Sequence, residues 1–145
     1  MNFKEHYLEE TKSEFPTLYH GTSSDALVKS KRFITADVYL TYDKEESKGY
    51  AAGKHFGGAG GENNYVLSVL AEPGKIYDGQ DDVDKIIMEE HEKFDDLDEL
   101  MNWARDEGYS YVTFEHPSFS KDDYHKVVVS LRPNKDLKIL GVEKT

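Results

Sequence analysis

Val38-Tyr39-Leu40-Thr41-Tyr42-Asp43-Lys44-Glu45-Glu46-Ser47-Lys48-Gly49-Tyr50-Ala51, preceded by Tyr19-His20-Gly21-Thr22, is the text on which the fold turns. The shorter piece reads as a strand from Thr17 running into a turn. A histidine leaving a strand into a glycine projects its imidazole beside the sheet, and the glycine lets a ligand approach backbone N–H and C=O groups closely. The longer piece opens with a strand centred on Val38-Tyr39-Leu40. Asp43 then caps a helix predicted from Lys44 to Ala52, with charge on its outer face. Ser47 and Tyr50 stand one helical turn apart and so share a side. Two tyrosines and a histidine converging on one cleft would sandwich a flat aromatic amide, with a hydroxyl to bond it.

Outward from these pieces the pattern alternates between strands and helices. Residues 2–14 read as an amphipathic helix with Phe3, Tyr7 and Leu8 on one side, stopped by Pro16. Ser23-Ser24-Asp25 caps a helical turn through Ala26, Leu27 and Val28. The glycine-rich run from Gly53 to Asn64 is a loop suited to cover a site. It lacks the Gly-Lys-Ser/Thr of a phosphate-binding loop, so that reading is rejected. Tyr65–Leu70 is a strand ended by Pro73-Gly74, and Lys75–Asp78 is an extended edge. Asp81–Glu107 is helical and acidic outside, with Ile86, Ile87, Phe94, Leu97, Leu100, Met101 and Trp103 inside and a break near Phe94-Asp95-Asp96. Gly108 stops it. Strands follow at Tyr109–Phe114, Tyr124–Leu131 and Leu137–Leu140, with a loop through Pro117 between the first two. The expected fold class is α+β, in a single domain over residues 1–145 with an acidic helical insertion at about 81–107.

Composition narrows the classes. A chain of 145 residues can bury a core as one domain. It has no cysteine, which removes disulfides and thiolate metal sites. His55, His91, His116 and His125 lack metal-ligand spacing, so no metal is expected. The charged N-terminal stretch shows no secretory signal and no apolar run is long enough to span a bilayer, so the expected setting is cytoplasmic. The formal net charge of −11 disfavours nonspecific nucleic-acid binding and suits a solvated surface or a basic protein partner.

Tyr19-His20-Gly21-Thr22 followed by Tyr39, Ser47 and Tyr50 resembles the ADP-ribosyltransferase superfamily, in particular its histidine–tyrosine–glutamate branch. The spacing from Tyr39 to Ser47 to Tyr50 is similar to that of poly(ADP-ribose) polymerase catalytic cores. The Tyr-His-Gly-Thr opening and the Tyr39-Leu40-Thr41 segment also look like rifamycin ADP-ribosyltransferases and small phage ADP-ribosyltransferases. The resemblance covers motifs over roughly 17–70 and strand pattern over 108–141. It implies a split mixed or antiparallel sheet with flanking helices and NAD as substrate, in the role of a mono-ADP-ribosyltransferase of the phage or bacterial anti-defence effector kind. The acceptor it implies is a macromolecule, above all a protein, or a small molecule. By the same resemblance His20 bonds the nicotinamide-side ribose and Gly21 the carboxamide. Ser47 adds a hydroxyl, Tyr39 and Tyr50 pack on the nicotinamide ring, and Thr22 stands behind them.

The pattern departs at one place. The family's catalytic glutamate opens the strand that corresponds to Lys126-Val127-Val128-Val129, and here Lys126 stands there with His125 beside it. The acid then comes from Asp123, the preferred candidate, or from Asp122 or Glu115, or from the region of Asp78, Asp81 and Asp82. The alternative is an inactive domain that binds a nucleotide or a basic partner. A 2′-phosphotransferase ranks last, because paired basic residues for phosphate are missing.

Overall fold

The computed structural model describes residues 15–51, 64–90, 92–117 and 124–145. In chain order the elements are β1 (Leu18–Thr22), α1 (Asp25–Ser30), β2 (Val38–Thr41), α2 (Lys44–Ala51), β3 (Tyr65–Ala71), β4 (Ile76–Asp78), α3 (Gln80–Ile87), α4 (Leu97–Asp106), β5 (Tyr111–Pro117), β6 (Tyr124–Ser130), α5 (Pro133–Asp136) and β7 (Leu137–Lys144). The strands form one seven-stranded mixed sheet in the order β4-β5-β6-β2-β1-β3-β7. β4 and β5 run parallel, and the other neighbours are antiparallel. The chain is therefore α+β.

Successive residues of a strand face opposite sides of a sheet, and both sides here are covered. On one side Leu18, Leu40, Leu67, Val69 and Val128 pack with Leu27 of α1 and with Phe33. On the other, Val112, Phe114, Val127 and Val129 pack against Val83 of α3 and Leu100, Met101 and Ala104 of α4. That double burial is why β6 reads as a run of valines. Tyr111 is fully buried, and its hydroxyl donates to the carbonyls of Glu72, at 2.5 Å, and Asp136. This single polar tip ties β5 to the end of β3 and to α5.

The structure corrects several sequence expectations. Ile87 was expected inside but is 60% exposed; it is the last residue of α3, and Val83 one turn earlier holds the interior position. β5 starts at Tyr111 and runs through Pro117. β7 continues to Lys144, and the one-turn α5, with proline at its start, was not read. The helix expected over 2–14, the glycine-rich run up to residue 63, and Asp122 and Asp123 lie outside the described residues.

Two local devices build the wall beside β1. The Ser24 hydroxyl accepts from the Leu27 N–H at 3.1 Å, supplying a partner that the first turn of α1 lacks. α1 ends at Lys31 in the left-handed region, φ 56°. Asn134 of α5 then holds the loop beyond, accepting from the Phe33 N–H and donating to the Phe33 carbonyl, both at 2.8 Å.

Candidate functional site

β1 is registered with β3 along its whole length, from Leu18 opposite Val69 to Thr22 opposite Tyr65. With β2 it shares one registered pair, Tyr19 opposite Thr41. Beyond that pair the two strands part, and a cleft of about 330 Å³ opens between them. His20, Gly21 and Thr22 line it from β1, Tyr39 from β2, and Phe33 and Asp37 from the connection between. Four residues singled out from the sequence thus meet in one place: His20, Gly21, Thr22 and Tyr39. Asp37 was missed. Its partner is Arg105, 68 positions along the chain, so no local pattern marks it.

The His20 ring bridges the fork, with Nδ1 2.9 Å from the Tyr39 carbonyl. A carbonyl only accepts, so Nδ1 carries the proton and Nε2 is left as the acceptor of the neutral ring. Burial lowers the His20 pKa below its ordinary value, against the upward pull of the Tyr39 carbonyl. The ring also packs edge-on against Phe33, with centroids 6.0 Å apart. The Tyr39 phenol is pushed up to about 12, first by burial and then by the charges of Asp37 and Asp98. It stays protonated and can donate. His20 and Tyr39 thus line the cleft as neutral rings, with the Tyr39 ring edge-on to Phe114 at 6.4 Å between centroids.

No family model, no curated protein and no solved structure matches the chain.

Ser47 lies elsewhere. Thr41 and Ser47 are both buried, and their hydroxyl oxygens are 2.7 Å apart. Thr41 donates to the Asp43 carbonyl at 2.8 Å, so the proton between the hydroxyls is Ser47's. Its donor is spent inside the protein, and Ser47 does not line the cleft. Tyr50 belongs to α2, but its side chain lies outside the described residues, as does Asp123. Glu46 is a second surprise. It was read as part of a charged outer face and is fully buried, with a carboxylate oxygen 3.7 Å from His125 Nε2. Its position four residues before Tyr50, on the same helical side, was the available signal.

Lys126 and the described candidate acids Asp78, Asp81, Asp82 and Glu115 do not line the fork cleft. Lys126 shares a separate groove of about 400 Å³ with Tyr42, Asp78, Gln80 and Glu115, and its ammonium sits 5.9 Å from the Tyr42 ring centre. Asp82 accepts from the Tyr77 hydroxyl, and Asp81 pairs with Lys85 at 3.5 Å. Arg32 is exposed. Asp37 is thus the one acidic residue among the described residues that line the cleft. Among those residues no group of three or more histidine, aspartate or glutamate side chains could hold a metal ion. No helix among them is long and apolar enough to cross a membrane.

Proposed function

We propose that this chain is an NAD-dependent mono-ADP-ribosyltransferase whose substrate enters the β1–β2 fork. The observation that carries the reading is the meeting of His20, Gly21, Thr22 and Tyr39 in one cleft. These are residues that the motif likeness names from two separate stretches of sequence. The chemistry of the cleft suits a ribosyl nicotinamide. Nε2 of His20 accepts from a ribose hydroxyl, and Phe33 and Tyr39 supply aromatic walls. In the reaction the bond from the ribose C1′ to the nicotinamide nitrogen breaks, and its electron pair leaves with neutral nicotinamide. The ribose passes through an oxocarbenium-like state, as in glycoside cleavage. An acceptor nucleophile then closes on C1′ and gives up its proton.

Free nicotinamide, followed by chromatography, is the readout. The wild-type protein releases it from NAD in the presence of a cell lysate as acceptor source. In His20→Ala, which removes the ring that spans the fork, release falls at least about 100-fold while the unfolding temperature stays near wild type. Release that is equal in both proteins overturns the reading. A second reading, a nucleotide-binding domain without turnover, is favoured by Lys126 at the position of the family's glutamate and by the internal use of the Ser47 proton. It predicts calorimetric binding of NAD or ADP-ribose with no nicotinamide released.

A further inference from the structure

We infer that Asp37 is the carboxylate that faces the developing positive charge on the ribose, and that Arg105 of the helical insertion positions it. The inference rests on the transferase reading and supplies the acid that reading needs.

Three observations carry it. Asp37 lines the fork cleft together with His20 and Tyr39 and is the one acidic residue to do so among those described. It immediately precedes β2, where the Thr35 hydroxyl donates to its backbone carbonyl at 2.8 Å, so the connection is fixed on both sides of Ala36. Its carboxylate accepts from Arg105 Nη2, and both side chains are mostly but not wholly buried, at 17% and 24% exposure. Arg105 is itself immobilised: Nε donates to the Leu131 carbonyl at 2.9 Å and Nη1 to Asn102 Oδ1 at 2.7 Å. A guanidinium with every nitrogen engaged is a rigid fork. It grips Oδ1 of Asp37 and so fixes the carboxylate of a residue that lines the cleft.

In chemical terms, the carboxylate stabilises C1′ as nicotinamide departs with the bonding pair. The acceptor's lone pair then forms the new bond to C1′, and Asp37 takes the proton that the acceptor sheds and passes it to water. Burial raises the Asp37 pKa, Arg105 pulls it down, and Asp98 raises it again. A carboxyl held somewhat above its ordinary range is better suited to accept that proton than a fully solvated one. The acidic insertion at about 81–107, for which the motif likeness has no counterpart, thereby gains a role. It carries Arg105 to Asp37.

The test compares wild type, His20→Ala, Asp37→Asn, Asp37→Glu and Arg105→Gln. Nicotinamide release, calorimetric NAD binding and thermal unfolding are read for each. In Asp37→Asn release falls at least about 100-fold and NAD binding stays within about threefold. Asp37→Glu keeps the ion pair and should fold even if the asparagine variant melts. By moving the carboxylate one methylene it lowers release at least about tenfold with binding unchanged. Arg105→Gln removes the downward pull on the Asp37 carboxyl, so the acid limb of its pH–rate profile moves to higher pH, a change that a merely structural role of Arg105 does not produce. Full release by a folded Asp37→Asn or Asp37→Glu, with His20→Ala inactive, overturns the inference and leaves the transferase reading standing. Absence of release and of NAD binding in wild type overturns both.

Discussion

β5 and β6 are registered along the full seven residues of each strand, from Tyr111 opposite Ser130 to Pro117 opposite Tyr124, while β1 and β2 share only Tyr19 opposite Thr41. Both are antiparallel neighbours in the same sheet. The closed seam satisfies its backbone groups with each other and spends its side chains on burial: Val127, Val128 and Val129 are at most 1% exposed. The open seam leaves backbone groups for other partners. One of them, the Tyr39 carbonyl, is taken by the His20 ring, and the cleft beside it is lined by a histidine, a glycine, five hydroxyl-bearing residues and an aspartate. An interruption in strand pairing exposes polar backbone that must find partners, and a ligand can be one of them. The difference locates function at the fork and stability at the seam.

The sharpest way to break that division is from the closed side. Leu100 of α4 is fully buried beneath β5 and β6. Leu100→Ala is expected to cost about 2–5 kcal/mol of unfolding free energy, through lost transfer energy and a residual cavity. Chemical denaturation measures the loss. Nicotinamide release per folded molecule should stay near wild type at low temperature. If release collapses while the fold persists, seam and fork are not separate, and the division fails.

Ser47 gives a smaller and more pointed test, because the motif likeness makes its hydroxyl a ligand contact whereas its proton is held by Thr41. Ser47→Ala removes a buried hydroxyl pair, and an expected cost of about 1 kcal/mol follows. NAD affinity should not change. A loss of affinity at constant stability would put Ser47 in the site and extend the fork toward α2.

Much of this architecture was legible before any coordinates. The two motif stretches and the Ser24 cap between them gave β1, β2, α1 and α2 within a residue or two, although β1 runs through Gly21 to Thr22, paired with Val66 and Tyr65, where a turn was expected. Four cleft residues followed from the same text. Other features were hidden because they are properties of register and of distant pairing. One register pair between β1 and β2, instead of several, leaves no mark in composition. The Asp37–Arg105 ion pair joins a loop to an insertion helix 68 positions away. Glu46 sits within Lys44-Glu45-Glu46, and a run of charges resembles a solvated face until the helix is docked.

The smallest expected effect concerns acid. Both histidines of the comparison, His20 at the fork and His125 on the seam strand β6, titrate below their ordinary value of 6.5. Burial leads in each case. For His125, Glu46, the Lys126 backbone and Asp43 pull upward and His116 pushes down. In the unfolded chain both rings accept protons near 6.5 while the folded protein resists them. The unfolded state then binds more protons, and stability falls as pH drops through that range. The carboxyls of Asp37 and Asp136 are raised above their ordinary 3.8. They act with the opposite sign and in a lower window, favouring the folded state as pH falls through their folded range. Thermal unfolding between about pH 7.5 and 5.5 should therefore show a decline in wild type that is shallower in His125→Gln and in His20→Gln. Equal flattening means that the open fork excludes the charged imidazolium as well as the closed seam does, as the hydrogen bond to the Tyr39 carbonyl and the Phe33 contact imply. Flattening in His125→Gln alone would mean that water reaches the His20 ring freely, and the fork would then be an exposed groove rather than a site that desolvates its ligand.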